Sequence, residues 1–131
     1  MKKTVLVIED EVNIRKFISV NLTARGYRVV EAESAEQALE LLREVMPAVA
    51  LLDIRLPGMD GWALLNAISN DPQMPDLPVV IVTGSIVHSA LEDINYSNLV
   101  GVLAKPVQVT HLLQSVQKAI GPSNGHSQSC Y

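Results

Sequence analysis

The run Val49-Ala50-Leu51-Leu52 constrains the fold more than any other feature, because an acid, Asp53, ends it and the turn residues Pro57 and Gly58 follow. Four consecutive apolar residues without helical spacing indicate a strand buried on both faces, as in parallel sheets. Ligands bind at the carboxyl ends of such strands in open α/β sheets. Asp53 is therefore a candidate metal ligand or nucleophile; the alternative is that it only begins a turn or caps a helix.

The remaining strands and helices follow from the same kinds of pattern. Apolar runs predict further strands over residues 5–8, 27–30, 78–82 and 100–104, and apolar residues at helical spacing predict helices over 14–22, 35–45, 62–68, 86–96 and 109–120. In the first helix the apolar stripe consists of Ile14, Phe17, Ile18 and Leu22, while Arg15, Lys16 and Asn21 lie off it. Ser34 to Gln37 match a capping box, and Gly26 is placed to end the first helix in a left-handed cap. Strands that alternate with helices predict an α/β fold, a doubly wound five-stranded parallel sheet of order 2-1-3-4-5, flavodoxin-like (βα)5.

Length and composition favour one domain over residues 1–120. The chain has 131 residues, and polar residues, Gly and Pro dominate from 121 onward, which predicts a disordered tail over 121–131. Ten Lys and Arg against fourteen Asp and Glu give a net charge of −4 without a basic cluster, so direct nucleic-acid binding is not expected. No apolar run approaches the ~20 residues of a membrane span, and the single Cys130 fits a reducing compartment. We expect a cytoplasmic protein without membrane contact.

The expected strand order brings polar side chains to one edge of the sheet. Strands one and three lie side by side, so Glu9 and Asp10 come next to Asp53. Neighbouring carboxylates repel one another, so such a cluster needs a cation. Oxygen ligands that are open to water suit Mg²⁺ better than zinc. Glu9 and Asp10 could also simply accept hydrogen bonds from the N-terminus of the first helix.

Thr83 and Lys105 end the fourth and fifth strands at the same edge. A hydroxyl and an ammonium beside an acid cluster favour a bound phosphate, and a carboxylate nucleophile, a divalent ion, a lysine and a hydroxyl are the parts that phosphoryl transfer requires. Singly, Lys105 could be a solvated strand end and Thr83 a β-branched residue that finishes a strand. Their joint placement favours a phosphoryl site.

The chain resembles the receiver domains of two-component response regulators over residues 1 to about 120. The motifs that carry the resemblance are Glu9-Asp10, Leu51 to Gly61, Thr83-Gly84 and Lys105-Pro106. The resemblance implies that Asp53 accepts a phosphoryl group from a histidine kinase or a phosphotransfer protein. It also implies that Mg²⁺, with Mn²⁺ as a possible substitute, is bound by Asp10, Asp53 and the backbone carbonyl of Arg55, with Glu9 assisting through water. Thr83, Lys105 and the amide of Gly84 would hold the phosphoryl oxygens.

The chain departs from the family pattern in two places. Val102 stands where the family usually has Tyr or Phe, and Ser97-Asn98-Leu99 replaces an Ala-Gly-Ala turn. We expect phosphoryl chemistry to be retained and the output face to respond weakly, or by a different route. The face formed by the fourth helix, fifth strand and fifth helix is a possible homodimer surface.

The sequence leads us to expect a phosphoacceptor that signals through contacts with an unknown downstream protein effector. It would not be an enzyme beyond Mg²⁺-dependent self-phosphorylation from a phosphodonor and autodephosphorylation. It could relay phosphate, drain it from a kinase, dock on an effector, or be a piece of a longer hybrid kinase.

Three alternatives compete with this interpretation. One is an interaction module on a receiver fold that is never phosphorylated, which Val102 favours. Another is a haloacid dehalogenase-type phosphatase, but that class expects an acid where Arg55 stands, two residues after the nucleophile, and a cap domain that this chain lacks. A flavin-binding protein on the same fold is disfavoured because acids, and not a hydroxyl- and Gly-rich loop, follow the first strand.

Overall fold

Five parallel strands form one sheet in the order β2-β1-β3-β4-β5, which confirms the predicted fold class and strand order. The computed structural model describes residues 2–56, 58, 60–74, 77–84 and 98–120. The strands are β1 (Thr4–Ile8), β2 (Arg28–Ala32), β3 (Val49–Asp53), β4 (Val79–Thr83) and β5 (Leu99–Ala104).

Four helices lie within the described ranges, α1 (Val12–Ala24), α2 (Ala35–Val45), α3 (Gly61–Ser69) and α4 (Val109–Ile120). The helix predicted over residues 86–96 and the tail predicted over 121–131 lie outside the described residues. No helix in the part of the chain that the structure describes is long and apolar enough to cross a membrane.

The central strands β1, β3 and β4 bury both of their faces, which is why they are nearly continuous apolar runs, whereas the edge strands β2 and β5 are partly exposed. In β1, Leu6 and Ile8 belong to one hydrophobic cluster, and Val5 and Val7 belong to a second. Side chains alternate across a strand, so the two clusters lie on opposite sides of the sheet. All residues of β3 and β4 are buried, and the polar residue that ends each of them is carried to the carboxyl edge of the sheet.

The predicted helix ends are present. Gly26 has φ 90°, the left-handed backbone that only glycine adopts without strain, just after α1. The Oγ of Ser34 accepts a hydrogen bond of 3.1 Å from the amide of Gln37, and the side chain of Gln37 accepts one of 2.7 Å from the amide of Glu33. These bonds fix the start of α2 directly after β2.

The structure corrects the sequence analysis of α1. Phe17, predicted on the buried stripe, is 40% exposed, whereas Arg15, placed off that stripe by its charge, is only 9% exposed. Helical spacing predicts the position of the buried stripe only to within one residue. It also does not predict the burial of a basic side chain whose charge is compensated by neighbouring acids.

Candidate functional site

The acids that follow β1 and β3 form a cluster at the carboxyl edge of the sheet. Asp53 is the last residue of β3 and is 3% exposed, while Glu9 directly follows β1 and is 1% exposed. Asp10, next to Glu9, is exposed. Because Ile8 pairs with Leu52 in parallel register, the residues after these strands are neighbours, and carboxylate oxygens of all three acids lie within 4.8 Å of one another.

Lys105 brings one positive charge into this cluster from the end of β5. Its Nζ donates a hydrogen bond of 3.1 Å to Oδ2 of Asp53. It also lies 3.1 Å from Oε1 of Glu9, at ion-pair distance but without hydrogen-bond geometry. The amide of Lys105 donates to the carbonyl of Thr83 at 2.8 Å, so the lysine is anchored on β4 and its side chain reaches across to β1 and β3.

The loop after Asp53 folds back onto β3. Oδ1 of Asp53 accepts a hydrogen bond of 3.0 Å from the amide of Arg55, and the amide of Gly61 donates to the carbonyl of Ile54 at 2.8 Å. A Cβ at Gly61 would lie 2.5 Å from Cα of Ile54 and 2.6 Å from the carbonyl oxygen of Asp53, so only glycine fits there. The side chain of Asp60 then caps α3 by accepting from the amide of Ala63 at 2.8 Å.

Proximity and burial change the protonation of the cluster. The pKa of Glu9 is raised from 4.5 to about 7, chiefly by burial and then by Asp53, while the amide of Glu11 and the ammonium of Lys105 act in the opposite direction. Burial alone would lower the pKa of Lys105, but Asp53 and Glu9 outweigh it and raise that pKa above its ordinary value. Lys105 therefore stays charged, and the three acids carry more negative charge than this one ammonium neutralises.

Arg15 is the residue near the site that the sequence analysis missed. From α1 its Nη1 donates to the backbone carbonyl of Glu9 at 2.8 Å, and its Nε donates to Glu31 at 2.9 Å. Nη2 lies 3.5 Å from a carboxylate oxygen of Glu33. The signal in the sequence was the pair of acids at the end of β2, the strand that lies beside β1.

The other predicted site residues take the following positions. Thr83 is the buried last residue of β4, and Gly84 after it is exposed beside the stem of Lys105. Arg55 is exposed, and its amide donates a hydrogen bond to Asp53. The role of its backbone carbonyl as a metal ligand stays a prediction. Val102, on β5, is 37% exposed.

The donor set at the cluster fits a hard divalent cation. Glu9, Asp10 and Asp53 offer only carboxylate oxygens, which Mg²⁺ and Mn²⁺ accept, and lack the nitrogen and sulfur ligands typical of zinc. The uncompensated negative charge gives such an ion a further reason to bind there.

Known proteins resemble this chain in both sequence and structure. The sequence profile of the response regulator receiver domain matches residues 5–117. The chain is 29% identical over 122 residues to the polar-differentiation response regulator DivK of Brucella ovis, an alignment that covers 92% of this chain and 98% of DivK. It is 39% identical over 82 residues to the ycf27 protein of Guillardia theta, where it spans 63% of this chain but only 31% of ycf27.

Solved structures agree with these relatives. The crystal structure of the receiver domain of NtrX from Brucella abortus superposes with a TM-score of 0.79 at 32% identity and covers 88% of this chain and 97% of that one. The chemotaxis protein CheY4 of Vibrio cholerae gives a TM-score of 0.85 at 24% identity over 91% of this chain and 99% of its own, a likeness of fold.

Proposed function

The chain belongs to the response regulator receiver domain family, and on that premise we propose that it is phosphorylated on Asp53 and signals through protein contacts. One observation supports this most directly. Asp53 is a buried carboxylate at a strand end whose oxygens are held by the amide of Arg55 and the ammonium of Lys105, beside Glu9 and Asp10. A carboxylate fixed in this way would lose little conformational freedom when it attacks a phosphorus atom.

The chemistry is a phosphoryl transfer from a phosphohistidine to a carboxylate. An oxygen of Asp53 would form the new P–O bond as the P–N bond of the donor breaks, and the leaving imidazole nitrogen would keep the electron pair and take a proton from water. Lys105, already in contact with Asp53, neutralises negative charge that the phosphoryl group brings. Glu9, Asp10 and Asp53 would hold Mg²⁺, which when bound supplies further charge neutralisation.

Thr83 and Gly84 complete the proposed phosphoryl site. Thr83 ends β4 and Gly84 follows it, and β4 lies directly beside β3, so the hydroxyl and the amide are at the strand end next to Asp53. They would donate hydrogen bonds to phosphoryl oxygens that are too far from Lys105 to be neutralised by it alone.

The partners follow from this chemistry. The donor would be a histidine kinase or a phosphotransfer protein, and the signal would pass to a downstream protein or to a second copy of the chain. The protein's own catalysis would be limited to self-phosphorylation from a donor and autodephosphorylation. A cytoplasmic location stays a prediction from the sequence.

The test is phosphorylation by a small acyl phosphate with Mg²⁺, followed by intact mass. Wild type should gain one phosphoryl group and Asp53→Asn should gain none. Asp60→Asn is the matched control, because it changes an exposed acid in the same loop and asparagine also caps helices. Equal labelling of Asp53→Asn would refute the acceptor assignment.

An interaction module that is never phosphorylated is the second candidate, and Val102 is the observation that favours it. This half-exposed side chain has no ring to move between an outward and an inward position. A wild-type protein that stays unlabelled by an acyl phosphate, and also by a kinase that labels other receivers, would support this second candidate.

A further inference from the structure

Each of the four polar groups of Glu9 has a partner, and Arg15 is one of these partners. The amide of Glu9 donates to the carbonyl of Ala32 at 3.0 Å, and Oε2 of Glu9 accepts from the amide of Glu11 at 3.2 Å. Its Oε1 lies 3.1 Å from Lys105. Its carbonyl accepts from Nη1 of Arg15 at 2.8 Å in a buried hydrogen bond.

The contact from Arg15 fixes the peptide that joins Glu9 to Asp10. A carbonyl and the amide that follows it share one plane, so holding the carbonyl of Glu9 also sets the direction in which the chain enters Asp10. Asp10 is exposed, and it lies in the short connection between β1 and α1. Free rotation of this peptide would turn the Asp10 carboxylate away from Asp53.

The guanidinium is itself anchored from β2. Nε bonds to Glu31 at 2.9 Å, and Nη2 lies 3.5 Å from Glu33, so the planar fork joins α1, the end of β1 and the end of β2. Side chains on a helix point towards its N-terminus, which is why Arg15, near the start of α1, reaches back to the connection that carries Glu9 and Asp10. Charge-assisted hydrogen bonds of this kind are stronger than neutral ones.

We infer that Arg15 is a positioning residue for the divalent-cation site, fixing the Glu9–Asp10 peptide so that both carboxylates face Asp53. This inference rests on the proposed function in that Mg²⁺ is the ion used. Arg15 itself donates to none of the carboxylate oxygens proposed to bind Mg²⁺. Its bond to Glu9 is to the backbone carbonyl, and its other partners are Glu31 and Glu33.

Charge and position predict opposite results when Arg15 is neutralised. Removing a cation from beside an acid cluster strengthens the attraction for Mg²⁺ if electrostatics alone operates. Releasing the peptide weakens binding, because groups that orient metal ligands typically contribute roughly tenfold or more to affinity. Arg15→Lys separates the two further, since lysine keeps the charge but cannot bond to a carbonyl and two carboxylates in one plane.

The experiment is calorimetric titration of metal-free protein with MgCl₂. Arg15→Gln and Arg15→Lys should each raise the dissociation constant, Arg15→Gln by roughly tenfold, while Arg28→Gln, which removes the same charge at the opposite end of β2, should not. Amide exchange at Glu11, measured without metal, should become faster in both Arg15 variants. Unchanged or tighter Mg²⁺ binding by Arg15→Gln, or wild-type binding by Arg15→Lys, would overturn the inference.

Two further readouts keep the outcome decisive. If Arg15→Gln does not fold, Arg15→Lys carries the test, and its phosphorylation rate should return to the wild-type value at saturating Mg²⁺, which a general loss of structure would prevent. A wild type that binds Mg²⁺ but takes no phosphoryl group would refute the proposed function and leave the role of Arg15 standing.

Discussion

Neutralising Asp10 should stabilise the metal-free protein and reduce its response to Mg²⁺. Carboxylate oxygens of Glu9, Asp10 and Asp53 lie within 4.8 Å of one another. At that separation two unit charges repel by about 3 kcal/mol at an effective dielectric of ~20 and by about 1 kcal/mol in water. Asp10 is exposed and Glu9 is partly protonated near neutral pH, so the lower value applies. Asp10→Asn should therefore add about 1 kcal/mol to the free energy of unfolding without metal.

Thermal unfolding by scanning calorimetry measures this effect. A gain of about 1 kcal/mol corresponds to a rise of about 3–5 °C in the midpoint of a domain of this size. For wild type, Mg²⁺ at ten times its dissociation constant should add about 1.4 kcal/mol by preferential binding to the folded state. In Asp10→Asn less than half of that increase should remain, because one ligand is weakened and repulsion has already been relieved.

Ionic strength must be matched between samples with and without Mg²⁺, since salt also screens the repulsion. Glu44→Gln is the control, because it removes one exposed acid near the end of α2, away from the cluster. An unchanged metal-free midpoint together with a full Mg²⁺ response in Asp10→Asn would show that Asp10 is not part of the site.

Three further predictions concern stability. Without metal, the free energy of unfolding should fall as pH rises from about 5 to 7, because folded Glu9, with its pKa raised from 4.5 to about 7, binds a proton that the unfolded chain has released. The loss is on the order of 1 kcal/mol once screening by solvent is taken into account. Urea unfolding measures this pH dependence, which should be absent in Glu9→Gln. Gly61→Ala should cost about 2 kcal/mol or more, because its Cβ would overlap the backbone of Ile54; Gly101→Ala, whose Cβ would meet Val80 at an ordinary 3.8 Å, should be tolerated in the same urea assay. Met46→Gly should stabilise the protein by about 1 kcal/mol, because Met46 ends α2 with φ 50°; a lower thermal midpoint would contradict this.

The fold could be predicted because its central strands, β1, β3 and β4, are buried on both faces. Runs such as Val49–Leu52 have no helical period, and their alternation with helical segments leaves few topologies for a parallel sheet. Once strands one and three are neighbours, the proximity of Glu9, Asp10 and Asp53 follows from where their apolar runs end. The acid cluster was therefore predictable from the sequence without any side-chain detail.

The contacts of the two basic side chains, Lys105 and Arg15, could not be predicted in the same way. The double contact of Lys105 depends on a flexible side chain that crosses the end of β4 to reach Asp53 and Glu9. The buried position of Arg15 could not be predicted because charge is a good guide to exposure only when no acids face it, and Glu31 faces it from β2. Both contacts depend on tertiary packing and not on local pattern.

The chemical identity of the phosphorylated residue is the most direct test of the proposed function. After incubation with an acyl phosphate and Mg²⁺, borohydride reduces an aspartyl phosphate to homoserine, and peptide mass mapping then gives its position. We predict homoserine at position 53 in treated wild type, and none in protein incubated without the donor. Homoserine at Asp10 or Asp60 instead, or none at any position, would contradict the assignment of Asp53 as the phosphoacceptor.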